Sequence, residues 1–448
     1  MRKISRDDIQ LEEIKYDPKP LLVYTMWGDS DTWISKYRIT GPLKVAKQLG
    51  IADVVVDRGN QSFKEYTDAP AEEARFQAMA HADVHLYHLA YSPKVLQLCL
   101  MEPRPAIIFG ADDHTEAIEP YNPQFAGLGT RGMHGEPLEP GKNIYMVNDT
   151  GEHLPIWKDK VNIEHGVLFD IARNIENLKL HKSVAFESDG VLVSTEPLRK
   201  VYASYGCKNI FVWPNSINFA QYPKVDLEEH GEEVRILWTG GSSHMADLYG
   251  IRDPLKNVMR KYPQAKFISF GQEAPVMARW FAEFSDRFEY IPWVDPDAYT
   301  YRLSIIGHDI NLCPLRASEF NEAKSAIKWY ESSVISRPAA TLAGAFGPFL
   351  EIEDGQTGML YESPAAFEAK LGQLIEDAAL RRRLAHNAKD WVHEHRDIRK
   401  NVPALIEWMR GTSDKVKARY QGSKLEDLYG NISEIADAHQ PKKLIEVP

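Results

Sequence analysis

The stretch DINLCPLRASEFNEAKSAIKWYESSVISRPAATLA (309–343) reads as strand, helix, strand. DINLCPL is an apolar run of strand length, AIKWYESSVIS has helical texture, and RPAATLA is a second, small-residue strand. Two apolar strands joined through a helix make a parallel βαβ unit. In such a unit the helix starts at the C-terminal edge of the sheet, where open α/β sheets bind ligands. Free N–H groups and the positive end of the helix dipole favour a phosphate there. Lys324, Ser325, Lys328 and Glu331 stand at helical spacings, and Lys324, Lys328 and Glu331 fall near one face. Two lysines and a serine would add charge and a hydroxyl, and Glu331 could accept hydrogen bonds from a ribose diol. The same spacings also describe an amphipathic surface helix with Lys–Glu pairs, and pattern alone slightly favours that plainer reading.

Working outward, the same alternation occurs twice. LLVYTMWG (21–28), ADVVVDRG (52–59), VHLYHLA (84–90), AIIFGADD (106–113), VLVST (191–195) and NIFVWPNSI (209–217) are strand candidates, with helices between them, one from about Ala71 to Ala80. EVRILWTGG (233–241), KFISFG, FEYIPW and DINLCPL form a second series, and FEAKLGQLIEDAALRRRLAHNAKDWVHEH reads as two helices. The predicted fold class is α/β, two Rossmann-like domains facing each other across a cleft. The expected division is an N-terminal domain over 1–223, a charged linker KVDLEEHGEE (224–233), a C-terminal domain over 234–395, and helices over 396–448 crossing back to the first domain. The region 114–160 is rich in Gly, Pro, Asn and His and lacks a period, which predicts a functional or mobile loop. Helical texture resumes from Asn162 to about Lys182.

A chain of 448 residues exceeds one ordinary core, and its 44% hydrophobic and 26% charged residues suit a globular protein. The start, MRKISRDDIQLEEIKYDPKP, has no apolar segment of the kind that marks a signal peptide. No apolar run reaches the roughly 18 residues that span a bilayer. Cys99, Cys207 and Cys313 are few and far apart, which argues against a disulfide framework or zinc site and fits a reducing cytoplasm. The net charge of −11 argues against a surface that coats nucleic acid. The basic stretch from Arg396 to Lys424 reads as a solvated helix face.

Two further stretches carry chemistry. In WTGGSSHMADL (238–248) the pair Gly240–Gly241 ends a strand and lets backbone approach a ligand, while Ser242, Ser243 and His244 could donate to phosphate oxygens. In FGADDHTEAIEPYNP (109–123), Asp112, Asp113 and His114 end a strand facing the expected cleft, where a carboxylate or imidazole could orient or deprotonate an acceptor hydroxyl. A capped strand-end turn explains the same residues about as well. GxSxG, HExxH, CxxC and GxxxxGK[ST] are all missing from the sequence.

The stretch from Glu319 to Tyr361 resembles the nucleotide-sugar signature of glycosyltransferase family 4, the retaining enzymes of GT-B fold, in a divergent bacterial or phage-type branch. EIEDGQTGMLY carries the family's run with Glu351, Ile352, Asp354, Gly355, Thr357, Gly358 and Leu360. Glu331 matches the second Glu of the family's pair, which holds the donor ribose, and Ala323 stands where the first would be. YRITGPL (37–43) and PNSIN (214–218) are similar to family landmarks, which puts Tyr37 and Arg38 on the acceptor side. The resemblance implies a nucleoside diphosphate sugar donor, UDP-linked, with no tightly bound cofactor and no metal. Gly240, Gly241, Ser242, His244, Lys324, Ser325, Lys328 and Glu331 would bind the donor, and Asp112, Asp113 and His114 would act in catalysis. The acceptor could be a surface glycan, a protein or a hydroxymethylated base in phage DNA. The alternatives are a sugar-nucleotide 2-epimerase of the same architecture and a non-catalytic nucleotide-sugar binder.

Overall fold

A computed structural model of the chain describes residues 19–26, 33–57, 78–132, 135–147, 153–160, 168–227, 231–271 and 274–420. The charged N-terminal start, residues 71–77 of the expected helix at Ala71–Ala80, residues 162–167, linker residues 228–230 and everything after 420 lie outside them.

The N-terminal half contains β1 (Leu21–Met26), β2 (Ala52–Asp57), β3 (Val84–His88), β4 (Ala106–Ala111), β7 (Gly190–Val193) and β8 (Ile210–Val212) in one parallel sheet of order β2-β1-β3-β4-β7-β8. Between β4 and β7 lies an antiparallel hairpin of β5 (Asn143–Val147) and β6 (His153–Lys158). The C-terminal half contains β9 (Val234–Gly240), β10 (Ala265–Gly271), β11 (Phe288–Pro292), β12 (Ile310–Cys313), β13 (Ala340–Gly344) and β14 (Met359–Tyr361), in the order β11-β10-β9-β12-β13-β14. Every residue of β3, β4, β7, β12 and β13 is buried, because helices cover both faces of a parallel sheet. That is why these strands read as apolar runs rather than alternations.

The order of the C-terminal sheet reverses between β9 and β12. At such a switch point the loops leaving two neighbouring strands diverge and open a crevice beyond their carboxyl ends. The residues that follow β9 and β12 are therefore placed to touch a ligand.

The segment 114–160 departs from the expected irregular loop. Its hairpin, the turn of helix Phe125–Leu128 and the loop before it enclose a small core in which Phe125, Trp157 and Phe169 pack with ring centroids 5.4–5.7 Å apart. Trp157 also donates its indole N–H to the Pro120 carbonyl at 2.7 Å. The aromatic residues lie too far apart in sequence to show a local period, so only tertiary packing reveals the core.

The two halves are joined at the PNSIN segment. Ile217 donates its amide to the Arg396 carbonyl at 2.7 Å and accepts from Ile398 at 3.0 Å. Asp397 caps the helix Ile398–Arg419, whose Val402, Leu405, Ile406 and Met409 share a core with Leu21 and Val23. Trp408 on the same helix stacks on Phe211 of β8 at 5.1 Å.

Candidate functional site

A cleft of 380 Å³ lies between the carboxyl ends of the two sheets. Of the residues singled out in the sequence, Tyr37, Arg38, Asp112, Asp113, Gly240, Gly241, His244, Lys324, Ser325, Lys328 and Glu331 line it. Ser243 lines it as well, whereas the Ser242 side chain lies outside the described residues. His114 stands outside the lining, half-buried, with its Nδ1 buried and unpartnered.

On the C-terminal wall, β9 ends at Gly240, where a Cβ would come within 2.6 Å of the Trp238 ring. Glycine there keeps the turn tight against the indole and leaves Gly241 facing the cleft. Lys324 and Ser325 differ from the sequence expectation of one continuous helix. A single turn, Glu319–Glu322, capped by Ser318, ends before them, and the next helix starts only at Ile327 and runs to Val334. Lys324 and Ser325 thus sit in the bend between two helical pieces, and Lys328 and Glu331 on the second.

Lys324 lies over the Phe320 ring at 4.6 Å and Lys328 over the Trp238 ring at 5.8 Å. Neither pairs with a carboxylate among the described residues. Burial, reinforced by Lys324, pulls the Lys328 ammonium down to about 8 against the attraction of Asp247 and Glu331. Two cations on the cleft wall, neither ion-paired among the described residues, form an anion-binding surface.

His244 places Nδ1 2.9 Å from Asp247 Oδ2, and Asp247 Oδ1 accepts from the Arg316 amide at 2.9 Å and from Asn321 at 3.0 Å. Burial alone would raise the Asp247 carboxyl, but His244, Lys324 and the Arg316 amide outweigh it and hold it ionised. Burial, followed by the two lysines, depresses His244 to about 3, so the ring is neutral. A neutral ring beside an ionised carboxylate carries its proton on Nδ1 and turns a bare Nε2 away from Asp247.

Glu331 is 5% exposed. Tyr37 of the opposite half donates to its Oε1, and Tyr299 donates to its Oε2 at 3.1 Å. Burial pushes the carboxyl up to about 7 despite these hydrogen bonds and despite Lys328 and Lys36. Beyond Tyr299, Phe270 and the rim residue Trp293 extend the cleft with aromatic surface.

On the N-terminal wall, β4 delivers Asp112 and Asp113. Asp112 Oδ1 lies 2.9 Å from Nε2 of His88 at the end of neighbouring β3. A Cβ at Gly110 would come within 2.9 Å of His88 Nδ1, so that glycine lets the imidazole lie against the strand. Burial opposes ionisation of Asp112, yet His88 and Arg38 together hold it low. Burial and then the Asp112 charge push Asp113 up to about 7, against the pull of Lys324. One carboxyl is thus kept charged and its neighbour is poised to carry a proton near neutral pH. Arg38 donates to the Trp213 carbonyl at 2.5 Å and to Asn215 Oδ1 at 3.2 Å, and Asn215 in turn donates to Ser325 at 2.8 Å.

Asn215, Tyr299, Asp247 and His88 escaped the sequence reading as cleft-building residues. Only Asp247 had a local signal, three residues after His244 in HMAD. The EIEDGQTGMLY run stays out of the lining. Glu351 accepts from Tyr330 and from Arg396 at 2.9 Å, Asp354 accepts from the Leu360 amide at 2.8 Å and from Lys370 at 2.7 Å, and Thr357 accepts from the Glu353 amide at 3.0 Å. These bonds brace the turn between β13 and β14, and the same segment brings Pro348 and Phe349 to the cleft. Among the described residues no group of three or more His, Cys, Asp or Glu could hold a metal ion. Among them, too, no helix is long and apolar enough to cross a membrane.

No family model and no curated protein sequence matches the chain. Solved structures do match its fold. A glycosyltransferase from Rickettsia africae aligns over 88% of this chain and 99% of its own, with a TM-score of 0.55 at 11% identity. The trehalose-6-phosphate protein of E. coli, bound with UDP-2-fluoro glucose, aligns over 87% and 99%, with a TM-score of 0.52 at 11% identity. HepE of Anabaena, in complex with UDP and glucose, aligns over 86% and 98%, with a TM-score of 0.51 at 11% identity. Two parallel six-stranded sheets with helices on their faces, opposed across a cleft, give this chain the GT-B fold.

Proposed function

We propose that the chain is a glycosyltransferase that passes a sugar from a nucleoside diphosphate sugar, with UDP as the nucleotide, to a hydroxyl acceptor. Retention of configuration and membership of family 4 follow from the motif resemblance and belong to the same proposal. One observation carries the reading: Lys324 and Lys328, without carboxylate partners among the described residues, meet the Gly240–Gly241 turn at the switch point of the C-terminal sheet, opposite Asp112 and Asp113. The UDP held by the Anabaena structure and the UDP-2-fluoro glucose held by the E. coli structure support the choice of nucleotide.

In this reading the diphosphate lies against the glycine turn and the two ammonium groups. Charge that develops on the leaving diphosphate then meets cations already in place, which is the most effective form of electrostatic catalysis. Glu331 takes the ribose. A carboxylate has about four lone-pair sites, and its two tyrosine donors use two, so a diol still finds acceptors. The aromatic surface at Phe270 and Trp293 offers a flat wall to the base. Asp113 receives or returns the acceptor proton, with Asp112 held charged beside it by His88.

The test incubates the full chain with a panel of UDP- and GDP-sugars and follows release of free nucleoside diphosphate with and without glycan, peptide and hydroxymethylated DNA acceptors. Acceptor-dependent release of UDP supports transfer. Conversion of the sugar without an acceptor would assign an epimerase, and binding without turnover would assign a carrier.

A further inference from the structure

Arg38 is 2% exposed and lies on the wall of the cleft. Its Nη1 is fully engaged, donating to the Trp213 carbonyl and to Asn215, and the guanidinium lies 5.4 Å from the centre of the Trp213 ring. Its Nε and Nη2 are buried and have no hydrogen-bond partner. Those two nitrogens are the pair along one edge of a guanidinium, the edge that matches two oxygens of a carboxylate or phosphate. A buried donor left unsatisfied is costly, and two on one cationic group call for an explanation. The charge that favours the cation is that of Asp112, whose Oδ1 is engaged with His88. Stacking and two acceptors lock one side of the guanidinium, which leaves its other side as a preformed fork.

Resting on the glycosyl-transfer reading above, we propose that the free Nε–Nη2 edge of Arg38 receives an oxyanion, a carboxylate or a phosphate, carried by the acceptor. The donor does not need this cation. A diphosphate esterified at both ends carries two negative charges, and Lys324 and Lys328 already match them on the opposite wall. Arg38 belongs to the N-terminal half with Asp112 and Asp113, the groups that face the acceptor hydroxyl. An acceptor with an anionic substituent near that hydroxyl would be held at two points, which fixes the attacking oxygen.

The test saturates the full chain with UDP and then titrates inorganic phosphate in one arm and acetate in another, followed by calorimetry. Binding of either anion to the UDP-saturated chain supports the proposal, and the tighter of the two identifies the source as phosphate or carboxylate. Arg38→Gln should weaken that anion at least about tenfold while UDP affinity stays within about threefold, as expected for loss of a charge-assisted bidentate pair. Arg38→Lys, which keeps the charge and loses the fork, should also weaken the anion. UDP binding with no measurable anion binding overturns the proposal and leaves the transfer reading intact. A loss of UDP affinity of about tenfold or more in Arg38→Gln also overturns it, because the edge then serves the diphosphate. Failure of UDP itself to bind the native chain removes the underlying reading instead. Should Arg38→Gln not fold, the native titration alone still decides.

Discussion

The two walls of the cleft are built in different ways. The C-terminal wall is cationic and local: a glycine turn at the end of β9 and one bent helical segment supply Gly240, Gly241, Lys324, Lys328 and Glu331. The N-terminal wall is acidic and assembled at long range. His88 comes from β3, Asp112 and Asp113 follow β4, Arg38 ends an early helix, and Asn215 joins from the PNSIN segment between the halves. The first wall needs only backbone and two ammonium groups to meet a phosphate. The second depends on buried polar bonds that set which carboxyl is charged, so it is where proton transfer belongs and where single changes should alter rate rather than nucleotide affinity.

The largest effect that would sharpen this contrast comes from removing both lysines. Lys324→Ala with Lys328→Ala should weaken UDP by roughly 10²–10⁴-fold, as two charge-assisted contacts imply, and uridine by less than about threefold. Equal losses for both ligands would break the assignment of that wall to the diphosphate. Next, Asp113→Asn should lower turnover by about 10²-fold or more, with UDP affinity nearly unchanged in calorimetry. A parallel loss of UDP binding would erase the division between the walls.

A smaller effect concerns stability. The Glu331 carboxyl rises from 4.5 to about 7 on folding, so the folded chain binds its proton more tightly than the unfolded chain does. That contribution is complete below the unfolded value and is lost as pH rises through the folded one. Glu331→Gln, which stays neutral, should therefore gain on the native chain between about pH 5 and about pH 8 by up to about 3 kcal/mol in thermal or denaturant unfolding. A pH-independent difference would show that the carboxyl is not held in that buried state. Smallest, and matched across the cleft, are two glycine changes, each expected to cost about 1–3 kcal/mol through crowding. Gly240→Ala presses on Trp238 and should weaken UDP, whereas Gly110→Ala presses on His88 and should slow transfer alone.

The same contrast explains what could be read in the sequence. The parallel strands declared themselves because burial on both faces leaves uninterrupted apolar runs such as AIIFGA and GVLV. The cationic wall was legible because its groups lie within short motifs around Gly240 and Lys328. The bend that takes Lys324 and Ser325 out of the helix was not, since EAKSA contains no proline or glycine to mark it. The hairpin within 114–160 was missed because the Gly, Pro, Asn and His of that region hide any period and its core is aromatic residues far apart in the chain. His88, Asn215 and Tyr299 were invisible as cleft residues for the same reason. Each acquires its role from a partner tens or more residues away, such as Asp112, Ser325 or Glu331.

The central claim is that the cleft's cationic wall holds a diphosphate, and calorimetric titration of the native chain with UDP and with uridine addresses it most directly. Binding of UDP at least about tenfold tighter than uridine, with the gap closed by the double lysine substitution, is the expected result. Equal affinity for the two, or a gap that survives loss of both lysines, would contradict the account.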